Sequence, residues 1–560
     1  MHTNFMELKR LFVLLAILFA ALAAASSQPK HETRAVWLTT IGGLDWPHSY
    51  ARTTPGIERQ KAELRDILDK LQQANINTVL LQTRVRGTMI YPSAFEPWDG
   101  CMSGVPGKSP GYDPLQFAID ECHKRGMEIH AWIVAIPIGQ WNAIGCRNLR
   151  RKHPRMVKRI GSEGFLNPES DATAGYIASL CGEIAKRYDI DGIHLDYIRY
   201  PETWQIRNNH DRCRQRITRI VRKIHDTVKS IKPYIKLSCS PVGKHDDLPR
   251  YSSHGWNAYE RVCQDAQGWM AEGLMDMLFP MMYFRGDNFY PFALDWKQES
   301  HGRTVAPGLG IYFMSEREKN WPLSDITREM EVLRSNGMGQ AMFRSKFFTD
   351  NVKGLYSFAK DQFYLYPALP DPMPCHNGTR PLPPSNLALK PVADNVSSLS
   401  WNSPYGNDTL GIRFNIYSSP EYPVNTNDAS NLMAISLSST SINVPASTYR
   451  HYAITAIDRY GMESEALQEN APDNAGCGSS MFEKLIRCDG SVLQLPAKSN
   501  VLDARFIVVE SLAGTVVSTH PFSSTSIDIR QLPDGIYVLR SLGRKGVTHR
   551  LGHFAIRRSF

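Results

Sequence analysis

From Arg34 to about Pro367 the chain alternates apolar strand-like runs with amphipathic helical segments, and no other feature constrains its fold as tightly. Strand segments are expected at Arg34 to Thr40, Ile76 to Val85, Glu128 to Ala135, Asp191 to Asp196 and Ile235 to Ser240. Three more follow at Met275 to Tyr283, Thr304 to Tyr312 and Gln340 to Phe347. Helices are expected between them, at Arg59 to Ala74, Pro114 to Arg125, Thr173 to Tyr188, Arg212 to Ile231, Ala258 to Glu272, Ser324 to Asn336 and Val352 to Phe363. The first of these places Leu64, Ile67, Leu68 and Leu71 on one face. Eight strands separated by helices predict a (β/α)8 barrel with inserted loops. An open doubly wound sheet is the alternative, but no glycine-rich dinucleotide loop follows the first strand.

The segment Asp191-Gly-Ile-His-Leu-Asp-Tyr-Ile-Arg-Tyr-Pro201 is the most chemically loaded of the strands. Side chains alternate along a strand, so Ile193 and Leu195 share one face, and His194 and Asp196 share the other. A buried charge must be paired or used. A structural ion pair of Asp196 with Arg199 is one reading. A catalytic carboxylate is the other, because barrel enzymes carry their chemistry at the C-terminal ends of strands. Other strands end in the same style, with Gln82 and Arg84, His130 and Trp132, Ser238 and Ser240, and Met282 and Tyr283. Convergence of these ends on one mouth is the expectation. Trp46, Tyr91, Trp98, Trp141, Tyr200, Trp204, Tyr283 and Phe284 lie on or just after strand ends, where aromatic faces could stack on sugar rings.

Several of these runs, taken in order, resemble the glycosyl-hydrolase-like family 10, formerly the uncharacterised family 187. They are Arg34-Ala-Val-Trp-Leu38, Asn77 to Arg84, Tyr91-Pro-Ser93, Tyr112-Asp-Pro-Leu115, His130-Ala-Trp132, Asp191 to Asp196 and Tyr200-Pro201. The resemblance covers about residues 32 to 367. It implies a TIM barrel and glycoside hydrolysis, and active members cut bacterial cell-wall glycans. Many members carry a second acid directly after the residue matching Asp196; here that position is Tyr197.

Glycosidases usually use two carboxylates. Asp196 is the first, expected to be ionised beside His194 and Arg84. Partners are sought among Asp246, Asp247, Asp287 and Glu316, with Asp246 chosen. Gln82, Arg84, Tyr91, His130, Trp132, His194, Tyr197, Arg199 and Tyr283 are the expected substrate-lining residues. No cofactor and no metal are called for. The rival readings are a non-catalytic carbohydrate-binding barrel and a metal-dependent deacetylase using His194, Asp196 and His130.

The remaining expectations concern the context. Lys9 and Arg10 precede the apolar run Leu11 to Ala25, which reads as a signal peptide over residues 1–25 and places the protein in the periplasm, on the cell surface or in the medium. The net charge of +9 over 560 residues is too dispersed for a nucleic-acid face. A polysaccharide or peptidoglycan-type glycan is the expected partner of a monomer without a stable membrane span. Residues 368–384 form a Pro-rich linker. Residues 385–470 resemble a fibronectin type III sandwich, with Trp401 in the core and Tyr452 in the ladder. Residues 484–560 resemble a C-terminal sorting domain through Leu532-Pro-Asp-Gly-Ile-Tyr537. Cys101 and Cys146, and Cys477 close before Cys488, lie in expected loops where disulfides could form.

Overall fold

The computed structural model describes residues 28–206, 209–373, 380–393, 395–405, 411–446, 450–468, 492–494, 504–511, 516–524, 526–533, 535–543 and 548–556. The expected signal peptide and Cys477 and Cys488 lie outside the described residues. No helix among the described residues is long and apolar enough to cross a membrane. Cys101 and Cys146 are both free and buried.

Eight parallel strands close into a barrel. They are Arg34–Leu38, Thr78–Arg84, Glu128–Val134, Gly192–Asp196, Lys236–Cys239, a sixth in two pieces (Met277–Leu278 and Met281–Met282), a seventh in two pieces (Thr304–Val305 and Gly308–Leu309), and Gln340–Met342. The first strand pairs with both the second and the eighth, and every neighbour between them is paired in parallel. The sixth and seventh strands break where Pro280 and Pro307 fall, because proline has no N–H to give the ladder. Trp37, Leu80, Trp132, Val134, Met277, Phe279, Ala306 and Ala341 fill the interior. The opposite strand faces pack against the ring of helices, among them Thr54–Gln73, Pro114–Lys124, Asp171–Arg187 and His210–Ile231.

Several elements differ from the sequence expectation. The helix expected at Ala258 to Glu272 is only Ala266–Ala271. Asn257 Oδ1 accepts the N–H groups of Glu260 and Arg261, and Cys263 has φ 53°, so the preceding residues form a loop instead. A helix at Tyr290–Gln298 was not expected. Neither was a three-stranded antiparallel excursion of Pro137–Gln140, Val157–Ile160 and Glu163–Leu166 above the third strand.

A bulge in the second strand changes one expected site residue. Gln82 pairs with Trp132, but Arg84, two residues on, pairs with Ile133. The extra residue reverses the alternation, and Arg84 faces outward to the helices rather than into the barrel. Its Nε and Nη2 donate to Glu96 at 2.8 and 2.7 Å, and both side chains are fully buried. Nη1 donates to the carbonyls of Val134 and Ala135. Tyr91 is likewise occupied away from the mouth, its hydroxyl donating to Glu183 at 2.7 Å on the third of these helices.

After the barrel, residues from Ser385 to Gln468 build a sandwich of a three-stranded and a four-stranded antiparallel sheet. Leu399, Trp401, Phe414, Ile416, Tyr452 and Ile454 lie between them. This sandwich sits on the N-terminal end of the barrel. There Asp191 accepts from the backbone N–H of Ile129 at 2.9 Å and from His123 Nε2 at 2.8 Å. Arg459 and Arg413 of the sandwich reach the same carboxylate at 3.1 and 3.4 Å. Gly126, with φ 71° after the second helix, permits the contact: a Cβ there would lie 2.2 Å from the carbonyl oxygen of Ile435. The last strands, from Val492–Gln494 to Thr548–Ile556, form a separate unit with Leu493, Ile507, Val509, Tyr537 and Leu539 inside.

Burial alone would raise the Asp191 carboxyl, but the charges of His123, Arg413 and Arg459 hold it well below the usual range. A depressed folded value contributes stability above the unfolded carboxylate pKa and loses it as pH falls through the folded one. Asp191→Asn is therefore expected to cost about 3 kcal/mol or more near neutral pH. The difference from the parent should shrink in acid, as measured by urea unfolding at a series of pH values. Arg84→Ala should cost roughly 3–5 kcal/mol by leaving Glu96 buried and unpaired, and Arg84→Ala with Glu96→Ala should recover part of that loss.

Candidate active site

The fourth strand ends at Asp196 on the inward face, 8% exposed. Three donors hold its carboxyl. Trp132 Nε1 donates to Oδ2 at 3.1 Å, and the Tyr197 N–H and Ser240 hydroxyl donate to Oδ1 at 2.7 and 3.1 Å. Trp132 lies two residues before the end of the third strand at Val134, and Ser240 directly follows the fifth, so three neighbouring strands meet at this carboxyl. Burial pushes the Asp196 carboxyl above the ordinary aspartate range, against the Arg199 charge and these three hydrogen bonds. The expected ionised carboxylate, stabilised by His194 and Arg84, is thus replaced by one that holds its proton more firmly.

His194 lies one layer deeper, fully buried. Trp37 Nε1 donates to its Nε2 at 3.2 Å, which leaves Nδ1 to donate to Ser238 Oγ at 3.0 Å. Burial, with His130 nearby, drives its pKa well down, so the ring is neutral and brings no charge to Asp196. His130 is deeper again, against Glu128 at 3.4 Å and packed so tightly on Gly192 that a Cβ there would lie 2.5 Å from the ring. It lines the barrel's interior rather than its mouth. With both His194 nitrogens engaged, these two histidines and Asp196 do not make a ligand set. No group of three or more His, Cys, Asp or Glu side chains among the described residues could hold a metal ion.

Arg199 is the cation at this mouth. It is 2% exposed, its guanidinium carbon lies 4.2 Å from the Tyr197 ring centroid, and Nη2 donates to Glu202 at 2.7 Å. Tyr197 has φ 49°, an uncommon conformation for a bulky residue that turns the chain sharply as it leaves the strand. The following turn is pinned by Tyr200 N–H on the Val262 carbonyl at 3.0 Å.

Opposite stands an aromatic wall. Tyr283 packs against Phe343 and Tyr312 with ring centroids 5.3 and 5.8 Å apart, and Phe343 packs edge-on against Trp37 at 5.8 Å. The Tyr283 hydroxyl is sealed from solvent and has no hydrogen-bond partner among the described residues. Burial, followed by the charge of Asp196, raises its pKa well above the ordinary value. A buried phenol without a partner beside a carboxyl is an arrangement that a bound hydroxyl or carbonyl group would satisfy.

The structure therefore brings together Trp132, Asp196, Tyr197, Arg199 and Tyr283 of the expected set. Gln82 is inward but committed: its Oε1 accepts from the N–H groups of Thr40 and Ile41 at 3.0 and 2.9 Å. Arg84, Tyr91 and His130 are elsewhere. Asp246 is tied into its own loop, where Oδ1 accepts from the Asp247 N–H at 2.7 Å and Asn257 Nδ2 at 3.1 Å. Among the sequence-flagged aromatics, Trp46 is a buried structural residue, its Nε1 donating to the Gln60 carbonyl at 2.8 Å. Ser240, Phe343, Tyr312 and Trp37 were passed over in choosing the site. The period of two from Ser238 to Ser240 and from Ala35 to Trp37 carried the signal for two of them.

A family model described as Glycosyl hydrolase-like 10 matches residues 32–215 and 206–313. Glycosyl hydrolase YngK of Bacillus subtilis (strain 168) is 29% identical over 400 residues, covering 64% of this chain and 77% of that protein. Glycosyl hydrolase DigH of Escherichia coli (strain K12) is 31% identical over 297 residues, covering 47% of this chain and 67% of that one. The glycoside hydrolase domain of PgaB (BpsB) from Bordetella bronchiseptica covers 59% of this chain and 98% of its own, with a TM-score of 0.42 and 12% identity. That likeness is too distant to carry an argument, and the fold rests on the strand pairing. The matched residues run through seven of the eight barrel strands, and the chain belongs to the glycosyl hydrolase-like 10 family.

Proposed function

We propose that the protein is an exported glycoside hydrolase that cleaves a glycosidic bond in a polysaccharide or bacterial cell-wall glycan, with Asp196 as its acting carboxyl. Family membership implies a carbohydrate substrate and hydrolase chemistry. The observation that carries the reading is Asp196 itself: a carboxyl buried at the C-terminal end of a barrel strand, oriented by three donors and facing aromatic residues. Export is supported by Lys9 and Arg10 ahead of the apolar run Leu11 to Ala25.

A carboxyl whose proton affinity is raised by burial suits proton donation to the leaving glycosidic oxygen. Trp132, Ser240 and the Tyr197 N–H would then stabilise the carboxylate left after the transfer. The Tyr283 hydroxyl supplies a donor or acceptor for the sugar, and the ring wall of Tyr283, Tyr312 and Phe343 offers an apolar face for its C–H groups. The second reading is a carbohydrate-binding barrel without hydrolysis. It is favoured by one observation, that Asp246 is spent on Asn257 and Asp247 and does not enter the hydrogen-bond set of Asp196.

Asp196→Asn keeps shape and removes the proton donor. Turnover on a panel of polysaccharides and cell-wall glycans is expected to fall by about 10³-fold or more with the fold intact. Full turnover by that variant would exclude Asp196 from the chemistry. Binding without hydrolysis by the unaltered protein would favour the second reading. Ser240→Ala removes a donor to the charged form, so the Asp196 pKa should rise further. For a proton donor, the alkaline limb of the kcat/KM profile should then move to higher pH, and a shift to lower pH would contradict that role.

A further inference from the structure

Two cysteines meet behind the turn that follows Asp196. Cys213 lies in the first turn of the helix His210–Ile231, on the buried face that continues through Ile217 and Ile220. Cys263 lies in the loop after the fifth strand and is fully buried, while Cys213 is 6% exposed. Both are thiols in this structure. Hydrogen bonds hold that loop against the helix and the turn. Arg214 Nη1 donates to the Tyr259 carbonyl and to Glu260 Oε1, each at 3.0 Å, and His210 Nδ1 lies 3.1 Å from Glu260 Oε2. The Tyr200 N–H donates to the Val262 carbonyl at 3.0 Å, and Gln264 Nε2 donates to the Ile198 carbonyl at 3.4 Å. The residues on either side of Cys263 are thus pinned, and its thiol lies within hydrogen-bonding reach of that of Cys213. No other cysteine among the described residues has a second thiol acting on it. Cys263 also has φ 53°, a conformation that persists in a residue other than glycine only where its surroundings over-determine it.

We propose that Cys213 and Cys263 are joined by a disulfide in the mature protein, a covalent brace between the helix and the loop that holds the turn after Asp196. The bond forms by exchange with a disulfide carrier outside the cytoplasm. One cysteine thiolate attacks a sulfur of the carrier and expels the other sulfur as a thiolate. The second cysteine thiolate then attacks the mixed disulfide and releases the rest of the carrier. The two cysteines lose two protons, and their two electrons reduce the carrier to two thiols. Burial, followed by the neighbouring Cys213, pushes the Cys263 thiol up to about 12. The folded pair therefore holds little thiolate, and the exchange belongs to folding, before the loop docks. The bond closes a loop of about 50 residues, which removes conformational freedom from the unfolded chain. The source of the oxidant rests on the export reading, whereas the pairing of the two residues does not.

The test begins with the full chain expressed with residues 1–25 in place. The protein is quenched in acid, its free thiols are alkylated under denaturing conditions, and it is digested with pepsin without reduction. A linked peptide pair carrying Cys213 and Cys263 is expected, and it should disappear on reduction. The same bond is expected when the reduced, unfolded chain refolds in a glutathione buffer. Against protein refolded without oxidant, the bonded form should unfold at a temperature about 5 °C higher, and amide exchange at Tyr200 should be slower. Cys213→Ala combined with Cys263→Ala should remove the redox dependence of exchange at Tyr200. Two free thiols at these positions after refolding in glutathione, or a bond from either one to a different cysteine, would overturn the proposal. A bond that forms in glutathione but is missing from protein taken from cells would overturn the export reading and, with it, the bond as a native feature.

Discussion

A strand packed on both faces can carry charge only where its backbone leaves the barrel, and the molecule is organised around the two ends of such a strand. Asp191 precedes Gly192–Asp196 and Asp196 closes it, about 16 Å apart at the rise of a parallel strand. Both carboxyls are buried, so desolvation acts on both in the same direction. At the foot, Arg413 and Arg459 together with the His123 ring outweigh it, and the Asp191 carboxyl is held well below its usual range. At the mouth, a single guanidinium shared with Glu202 does not, and Asp196 is drawn toward its protonated form. Two identical side chains in one short motif thus have opposite proton affinities, set by the number of cations that each can reach. The one at the foot anchors a module, and the one at the mouth is available for chemistry.

Between those ends the barrel axis is a graded column. Glu128, ion-paired with Lys236 at 2.7 Å, lies lowest. His130 comes next, then His194 between Trp37 and Ser238, and finally Asp196 under Trp132. His194 is wedged between the rings of Trp37 and Phe279, and both histidines are closed to solvent, while Glu128 at the foot is partly exposed.

The periodicity of the chain made the barrel legible, because eight runs with buried faces separated by amphipathic helices admit few arrangements. It did not reveal the excursion of Pro137–Gln140, Val157–Ile160 and Glu163–Leu166, which is an elaboration of one loop. In the site, alternation identified Asp196, Trp132 and Tyr283 correctly as inward groups at strand ends. It failed at Arg84 because one bulged residue inverts every face assignment after it. It failed differently at His130: a period of two gives the face of a residue but not its depth, and His130 is on the inward face two layers too low. The partner of Arg84, Glu96, sits in a loop twelve residues further on, where no local pattern announces it.

The seam between barrel and sandwich has a bearing on how such chains are exchanged in evolution. Sandwich modules are commonly treated as interchangeable beads, joined or dropped without consequence for their neighbours. Here the bead supplies Arg413 and Arg459 as counter-ions to Asp191, at the root of the strand whose tip bears Asp196, and Gly126 is kept bare so that the Ile435 carbonyl can approach. Replacing the sandwich alone would remove both arginines that face Asp191 and leave the carboxyl to His123 and the Ile129 N–H, so the two modules are tied by a buried charge as well as by the chain that joins them.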